Sequence, residues 1–444
     1  MTSKRQSWFQ RLRGGLGEVT RWLIPGLGVK RWILLILFGI TLIAVGLGVL
    51  ILDVYRTAPD SWWLPILSWV SLRFLARPIR ALIFGGLGLT FIVIGILEFN
   101  RSLMRPFMRP GQRVVDELRA HRARERGPNI VAIGGGHGLG MVLRGLKKKS
   151  NNITAIVTVS DDGGSSGRLR RDTGILPPGD IRNCLVALSD DEELLGALFQ
   201  YRYPDGDTGL NGHSFGNLFI SAMAEVMGSF EGAVAESGRV LAVRGRVLPS
   251  TLFDVKLVAD KSLPLVRSEV RVEGESNIPQ TAGQVRRVWL DPQNPPAYPE
   301  SIQAILSADL IVIGPGSLYT SILPNLMVPD LADAVRASRA LKVYICNVAT
   351  QKGETDGFSS EDHIMALDDH VGSGLFDLTI CNVSYEGKLP GGIDWVNADQ
   401  GSQGNYPVYL ADVVDETLLY RHDPEKLANT IIDIYQERTG PLVE

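Results

Sequence analysis

The sequence predicts an α/β protein, with a doubly wound, mostly parallel sheet carrying an antiparallel β insertion and preceded by a two-helix transmembrane hairpin. Three observations carry this prediction. Two long uncharged apolar runs occupy residues 32–52 and 81–97. From residue 129 onward, short β-branched runs alternate with helix-period segments, as in a buried parallel sheet. Glycine-rich junctions stand where several of these runs pass into helical stretches. The implied organisation is a basic segment and hairpin over 1–128, then an α/β domain over 129–444 with its insertion at about 239–288.

Composition agrees with that division. Across 444 residues, 45% are hydrophobic, 21% are charged and 48 are glycine, which excludes a disordered, collagenous or coiled-coil chain. The net charge of −3 conceals an asymmetry: residues 1–128 hold 19 Lys+Arg against 7 Asp+Glu, and the remainder hold 26 against 41. Such a split points to a membrane or nucleic-acid contact by the first part alone. The three cysteines, Cys184, Cys346 and Cys381, are far apart and form no CxxC pair. That argues against a disulfide framework or zinc site and for a reducing compartment.

Trp32–Leu52 is long enough to cross a bilayer core at about 1.5 Å per residue. It begins too late, runs too long and lacks a small-residue cleavage site, so a signal peptide does not fit. Ala81–Leu97 is at the short end of the spanning range. Its four glycines disfavour a helix in water, although membrane helices tolerate them. Seven basic residues flank the first run and eight arginines follow the second, between residues 101 and 126. The link carries only four arginines, two aspartates offset them, and its Trp62, Trp63 and Trp69 mix with aliphatics as at a membrane interface. The positive-inside rule then places both ends in the cytoplasm. Beside two apolar spans, anionic lipid is a better partner for the arginines than nucleic acid.

In the α/β part, Ile130–Ile133, Ile153–Val159, Leu310–Ile313, Val343–Cys346 and Leu378–Cys381 read as buried parallel strands. Leu139–Lys148, Asp180–Leu188, Phe215–Met227, Leu331–Leu341 and Pro424–Glu437 read as amphipathic helices. Residues 239–288 alternate apolar and polar positions between turns, predicting the antiparallel insertion.

Four loops hold the chemistry. Gly134–Gly140 lies between a strand and a helix, where backbone amides can meet a phosphate at the positive helix end. The dinucleotide fingerprint fails: counting from Gly134 puts Leu139 in its last place, and counting from Gly136 puts Met141 there. Lys147 lies too far along for a P-loop lysine. The loop alone fits either a phosphate cradle or a tight turn, and His137 either touches a ligand or caps the helix. Asp161 and Asp162 end the second strand. If the strand continues they point oppositely, so one of them faces a ligand, a cation or a second hydroxylated group. The third loop pairs Pro177–Asn183 with Gly212–Asn217. Asp180 is a good N-cap, and His213 and Asn217 share a face if a helix starts at His213. The fourth, Ile313–Thr320, is a second strand–glycine–helix junction, with the Asn347–Asp356 stretch at the next strand end as its partner. No Ser-His-Asp spacing, HExxH or kinase motif set is present in the sequence.

These stretches, GGGHGLG, ITAIVTVSDDGGSSGRLRRDTGILPPGDIRNCLVALS, HSFGNL, ADLIVIGPGSLYTSILPNL, VYICNV and GETDGF, run in one order over nearly all of residues 129–435. Together they resemble the YvcK family of gluconeogenesis factors, which share a fold with the 2-phospho-L-lactate transferase CofD. The resemblance implies a Rossmann-like cytosolic domain that binds UDP-sugars, notably UDP-N-acetylglucosamine. It also implies a role in cell-envelope synthesis, cell shape and growth on gluconeogenic carbon. The related transferase joins a phospholactate unit to a deazaflavin precursor, using a nucleotide-activated donor and a divalent cation such as Mg2+.

Carried across by residue, Gly135, Gly136 and Gly138, with His137 beside them, would approach the nucleotide phosphates. Asp161 or Asp162 would hold the cation in a transferase. Ser165, Ser166, Asp180, Asn183, His213 and Asn217 would line the ligand cleft, while Gly314, Gly316, Ser317 and Asn347 would form the second cradle. Asp161, Asp162 and His213 are the candidates for catalysis. Two features depart from the pattern: His137 stands where many members have threonine, and many relatives lack the hairpin. The expectation is a membrane-tethered UDP-sugar-binding regulator with its domain in the cytoplasm, beside envelope-synthesis proteins, with a CofD-type transferase as the alternative. Turnover, the sugar and a homodimer stay open at this level.

Overall fold

The computed structural model describes residues 122–440, apart from short breaks at 191, 205–208, 264–268 and 399–405, together with the helix Arg77–Met104 and scattered positions between 37 and 76. The chain divides into two compact units at residues 122/123. In the first, Arg77–Met104 forms a helix over the second apolar run, and Leu82, Phe84, Leu87, Leu89 and Ile94 are exposed on it. The Thr90 hydroxyl donates to the Gly86 carbonyl at 2.8 Å, satisfying its polar group within the helix. The first run and both basic flanks lie largely outside the described residues. Among the described residues no single helix is long and apolar enough to cross a membrane.

The second unit is built on a seven-stranded sheet. Its strands are β1 (Ile130–Gly134), β2 (Ile153–Val157), β3 (Arg246–Pro249), β7 (Leu310–Ile313), β8 (Leu341–Ile345), β9 (Leu378–Asn382) and β10 (Val408–Ala411). They lie in the order β10-β9-β8-β7-β1-β2-β3, and every pairing is parallel. β1, β2, β7 and β9 are buried at every position, which requires cover on both faces and accounts for their unbroken apolar runs. The helix Gly136–Leu146 packs between Gly179–Leu188 and Pro424–Thr439. A side chain at Gly145 would run into the Pro424 carbonyl, so that close approach needs glycine. Strand order reverses between β1 and β7, the switch point where a Rossmann-like sheet opens a crevice beyond its strand ends.

A separate antiparallel sheet, β5-β4-β6, comprises β4 (Lys256–Ser262), β5 (Glu269–Glu273) and β6 (Gln284–Asp291). The predicted insertion therefore began too early. Residues up to Val240 complete the helix Phe230–Val240, and β3 joins the parallel sheet as its edge. The error has a physical source: an edge strand is buried on alternate positions, as β3 is, and in sequence looks like a half-solvated antiparallel strand. Gly164–Thr173 forms a further helix although its first turn is Gly-Ser-Ser-Gly, a poor helix former.

Candidate functional site

The loops after β1, β7 and β8 surround a cleft of about 630 Å³ at the switch point. After β1 the chain enters the helix Gly136–Leu146 directly, with Gly135 as an extended N-cap and Gly136 at φ +61°. The first-turn amides are therefore directed to the strand ends. After β7, Gly314 and Gly316 take φ of +78° and +159°, and a five-residue π-helical turn, Leu318–Ile322, follows. The two loops touch: a β-carbon at Gly138 would lie 2.6 Å from the Pro315 carbonyl oxygen and 2.8 Å from Gly316 Cα. Asn347, after β8, fixes the second cradle by accepting from the Gly316 amide at 3.2 Å and donating to its carbonyl at 2.8 Å. Gln351 donates to the Ser317 hydroxyl at 2.7 Å.

Opposite charges border the cleft. Arg421, Lys352 and His137 line it, and His137 is held below its usual range by burial and then by the guanidinium of Arg421. Half-buried Asp180 and Glu275 and buried Glu354 also line it. Burial pushes Asp180 up to about 7; Asp161 nearby adds to the rise, while the Gly136 amide opposes it. Burial likewise raises Glu354 to about 7 against the Thr320 hydroxyl, which donates to it at 3.2 Å. Glu275 is pushed well up by burial and by Asp180 and Asp161, despite the Ser160 hydroxyl at 3.1 Å. With values of about 7, Asp180 and Glu354 hold a proton part of the time near neutral pH and can then donate a hydrogen bond to a hydroxyl as well as accept one.

Of the predicted residues, Gly135, Gly136, His137, Gly138, Asp180, Gly316, Ser317 and Asn347 line this one cleft. Asp180 is not the N-cap of its own helix, which begins at Gly179 behind Pro178; its carboxylate instead meets the amide that starts the Gly136–Leu146 helix. Asp161 lies close enough to raise Asp180, and its oxygens take the Gly163 amide and the Ser166 hydroxyl. Asp162 turns the other way, accepting the Ser276 amide at 3.0 Å. Gly314 starts the loop after β7 without lining the cleft, and Ser165, Ser166, Asn183, His213 and Asn217 belong to a polar layer that does not line it either. Buried Arg182 donates to Ser214, to Asn217 at 3.1 Å and to Asn183 at 2.9 Å. Asn217 donates to Ser166 at 3.2 Å, and His213 Nδ1 meets the Ser165 hydroxyl at 3.1 Å. The helix carrying Asn217 starts at Phe215 with Ser214 as its cap, so His213 lies outside it and shares no helix face with Asn217.

Asp161 and Asp162 diverge, their oxygens meet protein donors, and among the described residues no three His, Cys, Asp or Glu side chains are grouped to hold a metal. These donors do not fit a divalent cation.

Sequence reading missed Glu275, which comes from the insertion, and the Tyr420–His422 segment. The Asp423-Pro424 helix start was the available signal for the latter, since it marks another loop opening a helix. His422 is buried, and burial pushes it down to about 4, so it is neutral.

Comparison with known proteins agrees with this geometry. The family model described as 2-phospho-L-lactate transferase CofD matches residues 130–400. The gluconeogenesis factor of Bacillus subtilis is 46% identical over 319 residues, covering 70% of this chain and 99% of its own. A Nostoc sp. protein that bears the same description provisionally is 46% identical over 438 residues, 94% of this chain and 92% of its own. Its similarity therefore extends into the N-terminal unit. The crystal structure of a Bacillus halodurans protein, 42% identical, superposes with a TM-score of 0.62 over 69% of this chain and 99% of that one. The chain belongs to the CofD family and, within it, to the gluconeogenesis factors of the YvcK type.

Proposed function

We propose that this protein is a membrane-tethered binder of a UDP-sugar of the UDP-N-acetylglucosamine kind, acting as a regulator of cell-envelope synthesis, cell shape and gluconeogenic growth. One observation carries the reading: two glycine cradles in backbone contact across the switch point, with an arginine and a group of carboxyl side chains lining the same cleft. Amides at His137, Gly138 and Ser317 would meet the two phosphates, and Arg421 would neutralise them. Asp180, Glu275 and Glu354 would hydrogen-bond sugar hydroxyls. The cleft volume suits a nucleotide-sized ligand.

The tether reading rests on the two uncharged runs, their basic flanks and the exposed apolar residues of Arg77–Met104. Envelope-synthesis proteins in the same membrane are the partners it implies. Calorimetry on the full chain in lipid nanodiscs with UDP-N-acetylglucosamine tests the ligand, and no heat at millimolar nucleotide sugar removes it. Recovery of the chain from the soluble fraction after cell lysis would remove the tether.

A second reading, a CofD-type transferase, is favoured by the buried acids, which suit proton transfer as well as sugar recognition. Incubation with a deazaflavin precursor and a nucleotide-activated phospholactate donor, with and without Mg2+, tests it. Absence of the coupled product under both conditions removes it.

A further inference from the structure

We propose that Lys261 is a positioning residue for the ligand cleft, a latch that fastens the 274–281 turn of the antiparallel insertion to the 350–357 loop. This proposal rests on the nucleotide-sugar reading of the cleft and adds to it a residue that does not line the cleft.

Lys261 lies in β4 where pairing with β6 slips. Asp260 faces Arg287, but Lys261 faces Val285, leaving Arg286 as the extra residue. Such a bulge re-aims a side chain, and the Lys261 side chain is fully buried. Its ammonium donates to the carbonyls of Ile278 at 2.7 Å, Gly353 at 2.8 Å and Thr281. An ammonium has three N–H donors, so all three are used. Two carbonyls come from the insertion's turn, while the third comes from the loop that follows β8. A methionine would fill the same volume without burying a charge. What the charge adds is attachment between two segments that share no ladder.

Both segments are walls of the cleft. The turn supplies Glu275 and Pro279, and the loop supplies Gln351, Lys352 and Glu354. They are already close, since a side chain at Gly353 would strike the Pro279 carbonyl. The turn's other end is tied down separately by Asp162, which takes the Ser276 amide. Burial draws the lysine below its usual range, whereas Glu354 and Asp356 nearby oppose that and favour the cation.

The test uses the full chain in nanodiscs, with UDP-N-acetylglucosamine affinity and amide hydrogen exchange as two readouts. Lys261→Met should weaken binding at least tenfold and speed exchange in 274–281 and 350–357, leaving the cradle loops unchanged. In Lys261→Ala, millimolar n-propylammonium should restore binding where n-propanol does not. Binding within twofold of wild type in Lys261→Met, equal rescue by n-propanol, or a uniform rise in exchange would each overturn the latch. If Lys261→Met does not fold, Lys261→Ala folded by n-propylammonium but not n-propanol supports the latch, and failure of both overturns it. A wild-type chain that binds no UDP-N-acetylglucosamine overturns the nucleotide-sugar reading alone, and localised exchange still decides the latch.

Discussion

The cleft and the polar layer behind it are made of similar residues and do different work. Both come from glycine-rich, hydroxyl-rich loops that open helices, and sequence motifs single out both. In the cleft, Gly136–Gly138, Gly316, Ser317 and Arg421 border open space, and only some of their groups are taken, the Gly316 amide by Asn347 and the Gly136 amide by Asp180. In the layer, Ser165, Ser166, His213, Asn217 and Asn183 satisfy one another and the guanidinium of Arg182. A buried arginine must be hydrogen-bonded on most of its edge, and that need consumes residues which otherwise resemble ligand contacts. The difference lies in partners, not in residue type.

The sharpest way to break this comparison is to separate the two cradles. Gly138→Ala places a methyl against backbone atoms of Pro315 and Gly316, which cannot rotate away. Overpacking of this kind costs about 1–3 kcal/mol, and here the strain falls on the geometry that would hold the phosphates. We expect UDP-N-acetylglucosamine affinity to fall by about a hundredfold while the thermal transition falls by only a few degrees. Unchanged affinity would mean that the ligand does not sit between the loops.

Arg421→Ala should cost about tenfold to a hundredfold, since a charge-assisted contact to phosphate contributes about 1.5–3 kcal/mol. Uridine, which lacks the diphosphate, should lose little by the same change. Comparing the two ligands by calorimetry checks that the arginine reads charge; equal losses for both would count against it.

How much of this was legible beforehand follows from the kind of signal involved. β1, β7 and β9 are buried on both faces, so their composition is monotonous and they stand out. β10 is also a short apolar run, Val-Tyr-Leu-Ala, but as an edge strand it is exposed at three of its four positions, an outcome that its composition does not announce. The cradles were legible because a strand-to-helix turn over a phosphate requires glycine at set places. Glu275 was not, because it reaches the cleft from a turn between β5 and β6, far along the chain from every other lining loop. The role of Asp180 was half legible. Its position at a helix start was right, but a carboxylate there can serve a neighbouring helix, and only packing decides which.

Acidity gives a smaller and graded effect. Asp180 and Glu354 keep their protons up to about 7 in the folded chain, whereas the unfolded chain releases them near 4. Stability from these groups is therefore fully present below about 4 and is lost as pH rises through 7. Binding of a diphosphate should follow the same direction, because ionised Asp180 competes for the Gly136 amide and repels the ligand. Affinity measured from pH 6 to 8 should fall by about tenfold at most for one coupled proton, and Asp180→Asn should flatten the curve. A rise in affinity over that range would contradict the protonated floor.

The smallest expected effect bears most directly on the comparison. If His213 belongs to the packed layer, its loss harms folding before binding. The ring is buried and burial holds it below its usual range, so it is neutral at pH 7 and Nδ1 pairs with the Ser165 hydroxyl. His213→Ala removes that bond and leaves a void, at about 1–3 kcal/mol in stability. Affinity for UDP-N-acetylglucosamine should stay within about twofold, because the cradles and Arg421 are untouched. The opposite pattern, an intact melting curve with a tenfold loss of affinity, would move His213 into the site. It would also show that the layer opens toward ligand when the cleft is filled, so that mutual hydrogen bonding in the free protein is a resting arrangement. Measuring both quantities on the one variant distinguishes a wall from a contact, which neither does alone.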